Sequence, residues 1–245
     1  MRVKISFLRD QASANTIPLH HQSLLCESLT PIIEALGGEM SQFNFSSLKG
    51  TSKIQNGFMR FLSSKVTLVI SSRHSDKLEQ LVSKIFEQPY LALGKMNLMP
   101  RSHESISDPE FSVKMRYLCI SPLILVDPRT DSEKSQLTID PTSHEFSDIL
   151  YEQTLDRMEK AGFTEAELNN YAEFDAIPDK EYVQKINETG KKFARYYKAN
   201  DGSNMMGYLL PFTLHAHIDV HRFIWESGIG AMTEQGYGMV DMVKE

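Results

Sequence analysis

The stretch Gly228-Ile229-Gly230-Ala231-Met232-Thr233-Glu234-Gln235-Gly236-Tyr237-Gly238-Met239-Val240 places four glycines within eleven residues. Glycine reaches positive φ cheaply and lets another backbone, or a phosphate, approach closely. A helical pattern (Val220, Phe223, Ile224, Trp225) runs into the stretch, and alternation from Met239 to Val243 leaves it as a strand. The loop therefore joins a last helix to a last strand. Its backbone N–H groups can face an anion; the plain alternative is a tight connection with a Tyr-Gly bulge. It is neither a GxGxxG fingerprint nor a P-loop, because no Gly-Lys-Ser/Thr follows.

Working outward, Arg2–Leu8 alternates as a strand. Leu19–Leu36 keeps helical spacing around Pro31, where a kink or restart is expected, and stops at Gly37-Gly38. Gln42–Leu48 and Lys65–Ser71 alternate as strands, with turn signals at Lys49-Gly50 and Asn56-Gly57 between them. Asp76–Phe86 reads as a helix with an Asp76/Glu79 capping box, and Tyr90–Asn97 as a strand. This order, β-α-β-β-α-β, is the ferredoxin-like or RRM-like plan.

Residues 98–110 read as a linker, after which the plan repeats. Phe111–Val126 is strand-like, broken at Ser121-Pro122, and His144–Ala161 is helical. Thr164–Asp179 reads as an acidic connection. Gly190–Ala199 and Asn204–His215 pair as a hairpin across Asn200-Asp201-Gly202-Ser203. Ile218–Ser227 is the second helix, and Gly230–Val243 contains the final strand. The expected fold class is α+β: two tandem ferredoxin-like domains, at 1–101 and 111–245, with a C-terminal glycine-rich loop.

A chain of 245 residues suits one large domain or two small ones. No apolar run reaches the roughly 18 residues of a membrane span. The start of the sequence reads as a strand, without the apolar region of a signal peptide. Cys26 and Cys119 are isolated, which excludes a disulfide framework and a cysteine zinc knuckle. The expectation is a cytoplasmic protein with no membrane partner, a monomer or homodimer.

The net charge is −6, but it is unevenly spread. Residues 1–101 carry 12 Lys/Arg against 7 Asp/Glu, and residues 102–245 carry 14 against 25. The basic half suits a polyanion. The acid is concentrated between Asp140 and Glu181, as on a solvated helix face.

Three groups of side chains point to chemistry. His20 and His21 open the first helix, where the dipole attracts phosphate and favours the neutral imidazole of a general base. The alternative is one packed and one exposed histidine. His215, His217 and His221 form H-x-H-x3-H, a polar patch at a strand end; nothing completes the set, so no metal or other cofactor is expected. Lys49 and Lys53 follow the second strand. Lys191, Lys192, Arg195 and Lys198 are interleaved with Phe193, Tyr196 and Tyr197, a pattern that suits single-stranded RNA or an exposed hairpin with its aromatics inward.

Several motifs also resemble family six of the CRISPR-associated proteins, endoribonucleases of the RAMP superfamily that process CRISPR repeat RNA in antiviral defence. These are Pro18-Leu19-His20-His21-Gln22-Ser23-Leu24-Leu25, Phe43-Asn44-Phe45-Ser46-Ser47-Leu48-Lys49-Gly50, Ser121-Pro122-Leu123, Gly207–Leu214 and the glycine-rich end. The resemblance implies tandem ferredoxin-like folds and metal-independent cleavage by a ribose 2′-OH, leaving a 2′,3′-cyclic phosphate and a 5′-OH. It assigns acid/base work to His20 and His21, and phosphorane stabilisation to Lys53 with Lys49 behind it. The repeat RNA, single-stranded or hairpin, would be held by Gly228, Gly230, Gly236, Gly238, Lys191, Lys192 and Arg195. Members of that family often place a histidine in Leu-His-x-x-Gly after the first helix; here the residues are Leu36-Gly37-Gly38-Glu39. Two further readings follow: a non-catalytic RNA-binding subunit associated with CRISPR effector subunits, and a nucleotide-binding enzyme using the loop for phosphate.

Overall fold

The structure, a computed structural model, describes residues 1–126, 139–189, 194–198 and 204–243; for 194–198 and 204 only the backbone is described. The chain divides into two compact units: residues 1–108 with 234–236, and 109–233 with 237–245.

The first unit is built on β1 (Arg2–Arg9), β3 (Phe43–Phe45), β6 (Lys65–Ser72), β7 (Leu91–Leu93) and β8 (Met96–Ile106). They form one antiparallel sheet in the order β3-β6-β1-β8-β7. Helices α1 (Gln22–Ala35) and α2 (Ser75–Glu87) pack against it. Alternation dictates the core: Val3, Ile5 and Phe7 of β1 and Val66, Leu68 and Ile70 of β6 are all buried. They meet Leu25, Leu29 and Ile33 of α1 and Leu78, Leu81 and Ile85 of α2, which keep helical spacing. Helix α1 carries Pro31 without breaking.

Two expectations need correction here. No side-chain cap bond forms at α2, whose N-cap is His74; Asp76 lies in the first turn, facing the positive end of the dipole. The linker reading of 98–106 also fails, because β8 continues through it to Ile106. The register slips opposite Ser6 and Phe7, which pair with Ser102 and Pro100, so Arg101 is an extra residue. That bulge lets Pro100, which has no N–H, sit inside a long strand.

A second small sheet joins β2 (Thr16–Pro18), β5 (Phe58–Phe61) and β4 (Ser52–Gln55) in the order β2-β5-β4. Strands β4 and β5 form a two-residue hairpin in which Asn56 (φ 52°) and Gly57 (φ 77°) supply the left-handed turn.

The second unit repeats the plan. Strands β9 (Lys114–Cys119), β11 (Phe174–Pro178), β14 (Pro211–Ala216) and β15 (Val240–Met242) pair in the order β11-β14-β9-β15. Helices α3 (Glu145–Lys160) and α6 (Ile218–Ser227) complete it, with Trp225, Tyr117, Phe146 and Phe212 fully buried. In both units the second and third strands of the plan pair, the third pairs with the first, and the first with the fourth, as the ferredoxin-like fold requires. Between these elements lie β10 (Leu123–Ile124), the short α4 (Glu165–Leu168), α5 (Lys180–Thr189), β12 (Ala194–Lys198) and β13 (Asn204–Tyr208).

The second strand of this unit is β11, inside the stretch expected to be an acidic connection. It is an edge strand with Ala176 buried and its one acid, Asp175, exposed. The predicted hairpin is present as β12 against β13, and its turn lies outside the described residues. Strand β14 does not continue β13; it leaves at Leu209-Leu210 and pairs with β9 and β11. The last strand is shorter than expected: Ala231 makes only an isolated bridge to Ile124, Thr233–Gln235 forms a 3-10 turn, and the strand begins at Val240.

Candidate active site and nucleic-acid interface

In the first unit the histidine pair lies between β2 and α1. The Leu19 N–H donates to the Gly57 carbonyl at 2.8 Å, which seats this segment beside the β4–β5 turn. His21 is the N-cap of α1 but makes no side-chain cap bond. Its ring is turned inward and buried. Nδ1 lies 3.2 Å from the Pro18 carbonyl, and Nε2 accepts from the Leu48 N–H at 3.0 Å. One nitrogen donates and the other accepts, so the ring is neutral. Burial lowers its pKa to about 4. His21 therefore fixes Leu48, and with it the chain leading to Lys49, to the head of α1. His20, next to it, is partly exposed and makes no such bonds.

Gln22, also buried, extends the arrangement. Its Nε2 donates to the Gly236 carbonyl at 3.0 Å, and its Oε1 accepts from the Ser47 hydroxyl at 3.3 Å. Gly236 (φ 79°) packs against Phe45, and a Cβ there would overlap the ring. Three stretches distant in sequence thus meet at His21 and Gln22. Neither Gln22 nor Phe45 was singled out for this from the sequence, since only the fold reveals their partners.

Lys49 and Lys53 are both exposed. Lys49 forms an isolated bridge to Thr67, and Lys53 sits on β4 opposite Arg60 of β5.

In the second unit the glycine-rich segment is held from within. Gly228 N–H caps α6 by donating to Ile224, Ile229 N–H donates to the Gly238 carbonyl, and Ala231 N–H to Ile124. Gly238 N–H donates to Pro122 at 2.8 Å, and Met239 N–H to the Ser121 hydroxyl at 2.8 Å. These donors are spent on the protein itself. The glycines serve close packing: a Cβ on Gly238 would strike the Ile229 carbonyl, and one on Gly230 would come within 2.6 Å of Leu123.

A residue the sequence did not flag, Arg157 of α3, grips the same turn. Its guanidinium donates to the carbonyls of Ser227, Gly228 (2.9 Å) and Gly230 (3.4 Å), and rests 5.2 Å from the Phe223 ring centroid. A cation at these carbonyls complements the C-terminal end of α6. A lone arginine on an acidic helix carries no sequence signal of that role.

Two of the other histidines go to structure. His217 is the N-cap of α6, accepting from the Asp219 N–H; His221 is buried, with Nδ1 3.0 Å from the Tyr117 hydroxyl. Among the described residues no cluster of three or more His, Cys, Asp or Glu can hold a metal ion. Burial pushes both cysteine thiols up to about 12, which leaves them inert. Arg195 lies on β12 opposite Gly207, while Lys191 and Lys192 lie outside the described residues. No described helix is long and apolar enough to cross a membrane.

The family model described as CRISPR associated protein Cas6, C-terminal, matches residues 104–242. Three solved structures resemble the chain along its length. One, an RAMP protein binding different RNA substrates, has a TM-score of 0.81 at 18% identity and covers 100% of both chains. A second, a CRISPR associated protein Cas6, has a TM-score of 0.80 at 20% identity, covering 100% of this chain and 99% of that one. A third, the product of a Cas6-related gene from Pyrococcus furiosus, has a TM-score of 0.79 at 20% identity with the same coverage. At such identities the likeness establishes a shared fold. No curated protein matches the chain.

Proposed function

The chain belongs to the CRISPR-associated Cas6 family, and from that premise we propose that it binds CRISPR repeat RNA and cuts it into mature guide RNA. The observation that carries this reading is the His21–Gln22 junction. It brings the head of the first helix, the segment leading to Lys49 and the carbonyl of Gly236 into one hydrogen-bonded unit.

In this mechanism His20, the histidine of the pair left partly exposed, takes the proton of a ribose 2′-OH. The O2′ attacks the adjacent phosphorus, and Lys53, with Lys49 behind it, stabilises the phosphorane charge. The P–O5′ bond breaks as the departing oxygen receives a proton from the lysine ammonium; solvent restores both groups. The products are a 2′,3′-cyclic phosphate and a 5′-OH, and no metal takes part. His21, bonded at both ring nitrogens, acts as a positioning residue. Lys191, Lys192 and Arg195 hold the RNA, while the four buried glycines, Gly228, Gly230, Gly236 and Gly238, shape the segment through close packing.

Comparing His20→Ala with His21→Ala tests this. His20→Ala is expected to lower the cleavage rate by about a hundredfold or more while leaving the melting temperature unchanged. His21→Ala is expected to lower the melting temperature as well. Unaltered cleavage in His20→Ala would remove it from the chemistry.

One observation favours a second reading, an RNA-binding subunit that does not cut. His21 is locked, and Leu36-Gly37-Gly38-Glu39 lacks the histidine that the family resemblance leads one to expect. Tight repeat binding with no cleavage would select it.

A further inference from the structure

We propose that the outer face of the β2-β5-β4 sheet is a platform for single-stranded RNA, on which Phe58 stacks with a base while Lys53 and Arg60 pair with the flanking phosphates. The proposal rests on the RNA-binding reading above and adds the place where an unpaired strand lies.

The register defines the face. Lys53 is opposite Arg60, which is opposite Thr16; Gln55 is opposite Phe58, which is opposite Pro18. Strand alternation turns the intervening residues the other way. Met59, Phe61 and Ile17 are buried there, at 7%, 1% and 1% exposure. Phe58, by contrast, is 50% exposed, and Lys53 and Arg60 face solvent.

Two cations directly across a ladder repel, and such a pair persists at a cost unless an anion shares it. Neither Lys53 nor Arg60 has a carboxylate partner among the described residues. From Met40 to Ser75 the sequence holds five cations (Lys49, Lys53, Arg60, Lys65 and Arg73) and not one Asp or Glu, in a chain whose net charge is −6. An anion from outside would relieve this repulsion. An acidic peptide would satisfy the charges but has no use for an exposed aromatic ring between them. A single-stranded nucleic acid uses both, because phosphates and unstacked bases alternate along it. A duplex does not, since its bases are already stacked. The face is a three-stranded ribbon with β4 at its edge.

The test measures binding of a labelled, unstructured oligouridine and of the repeat RNA to the full chain across a range of salt. Phe58 and Arg60 are varied so that Lys53 stays in place. Phe58→Ala and Phe58→Leu are expected to weaken oligouridine binding roughly ten- to a hundredfold with an unchanged salt slope. Phe58→Trp is expected to restore it. Leucine keeps the apolar bulk, so a matching loss in both variants identifies the π face rather than packing. Arg60→Gln is expected to lower the slope of log Kd against log salt by about 0.7, the value for one phosphate on a single strand. Wild-type binding of oligouridine that none of these variants alters would overturn the platform while leaving the RNA-processing reading intact. Failure of the wild type to bind either RNA would overturn both. Binding of an oligoglutamate of equal charge with the same dependence on Phe58, and no RNA binding, would also overturn it.

Discussion

The Gln22 side-chain amide donates to the carbonyl of Gly236, 214 positions away in sequence, at 3.0 Å. The same amide accepts from Ser47, so one buried side chain joins the first helix, the segment after β3 and the glycine-rich segment. Gln22→Leu keeps the volume and leaves the Gly236 carbonyl without this donor. A stability loss of about 1–3 kcal/mol is expected, with weaker repeat binding. Urea denaturation and a binding titration check both; an unchanged midpoint would show that the bond contributes nothing.

Gly236 combines a positive φ with direct contact on Phe45. Gly236→Ala has no cheap response, because the neighbour is a ring buried in the core. Left-handed strain and overpacking together predict a loss of about 3 kcal/mol. Adding Phe45→Leu should recover part of it, and calorimetry of the single and double variants would show whether it does.

His21 makes stability depend on pH with a defined sign. Its folded-state pKa is about 4 against an ordinary 6.5, so between those values the unfolded chain binds a proton that the folded chain does not. The contribution is fully present above pH 6.5 and is lost as the pH falls towards 4, by roughly 3 kcal/mol at most. His221 in the second unit is shifted in the same direction by burial. Denaturation midpoints from pH 4 to pH 7 in wild type and His21→Gln test this. The variant should show a shallower rise, and identical slopes would mean that His21 titrates normally.

Arg157 holds the turn after α6 through the carbonyls of Ser227, Gly228 and Gly230. Arg157→Ala should speed amide hydrogen exchange at 228–231. Arg157→Lys should recover only part, because an ammonium cannot reproduce a planar fork of donors. Exchange mass spectrometry of the peptide spanning these residues reads the effect directly.

Much of the fold was legible because both units bury alternating strands against amphipathic helices. Val3, Ile5 and Phe7, or Leu78, Leu81 and Ile85, announce their faces without reference to partners. Strand β11 was missed because an edge strand buries only one side, and Asp175 and Glu173 made the segment look solvated. The β4–β5 hairpin showed itself only through Asn56-Gly57, since its outward residues Lys53, Phe58 and Arg60 give no core signal. At the site the histidine pair could be found, but the division of labour within it could not. His21 differs from His20 only through the Pro18 carbonyl and the Leu48 N–H, which the fold brings to it. Gln22 and Arg157 stayed hidden for the same reason.

The most direct test of the central claim is cleavage of a CRISPR repeat RNA in excess EDTA. The intact repeat is compared with one carrying a single 2′-deoxy substitution at the scissile nucleotide. The account predicts that only the intact RNA is cut, with a 2′,3′-cyclic phosphate on the upstream product. Cleavage of the deoxy substrate, or activity that vanishes with EDTA and returns with a divalent cation, would contradict it.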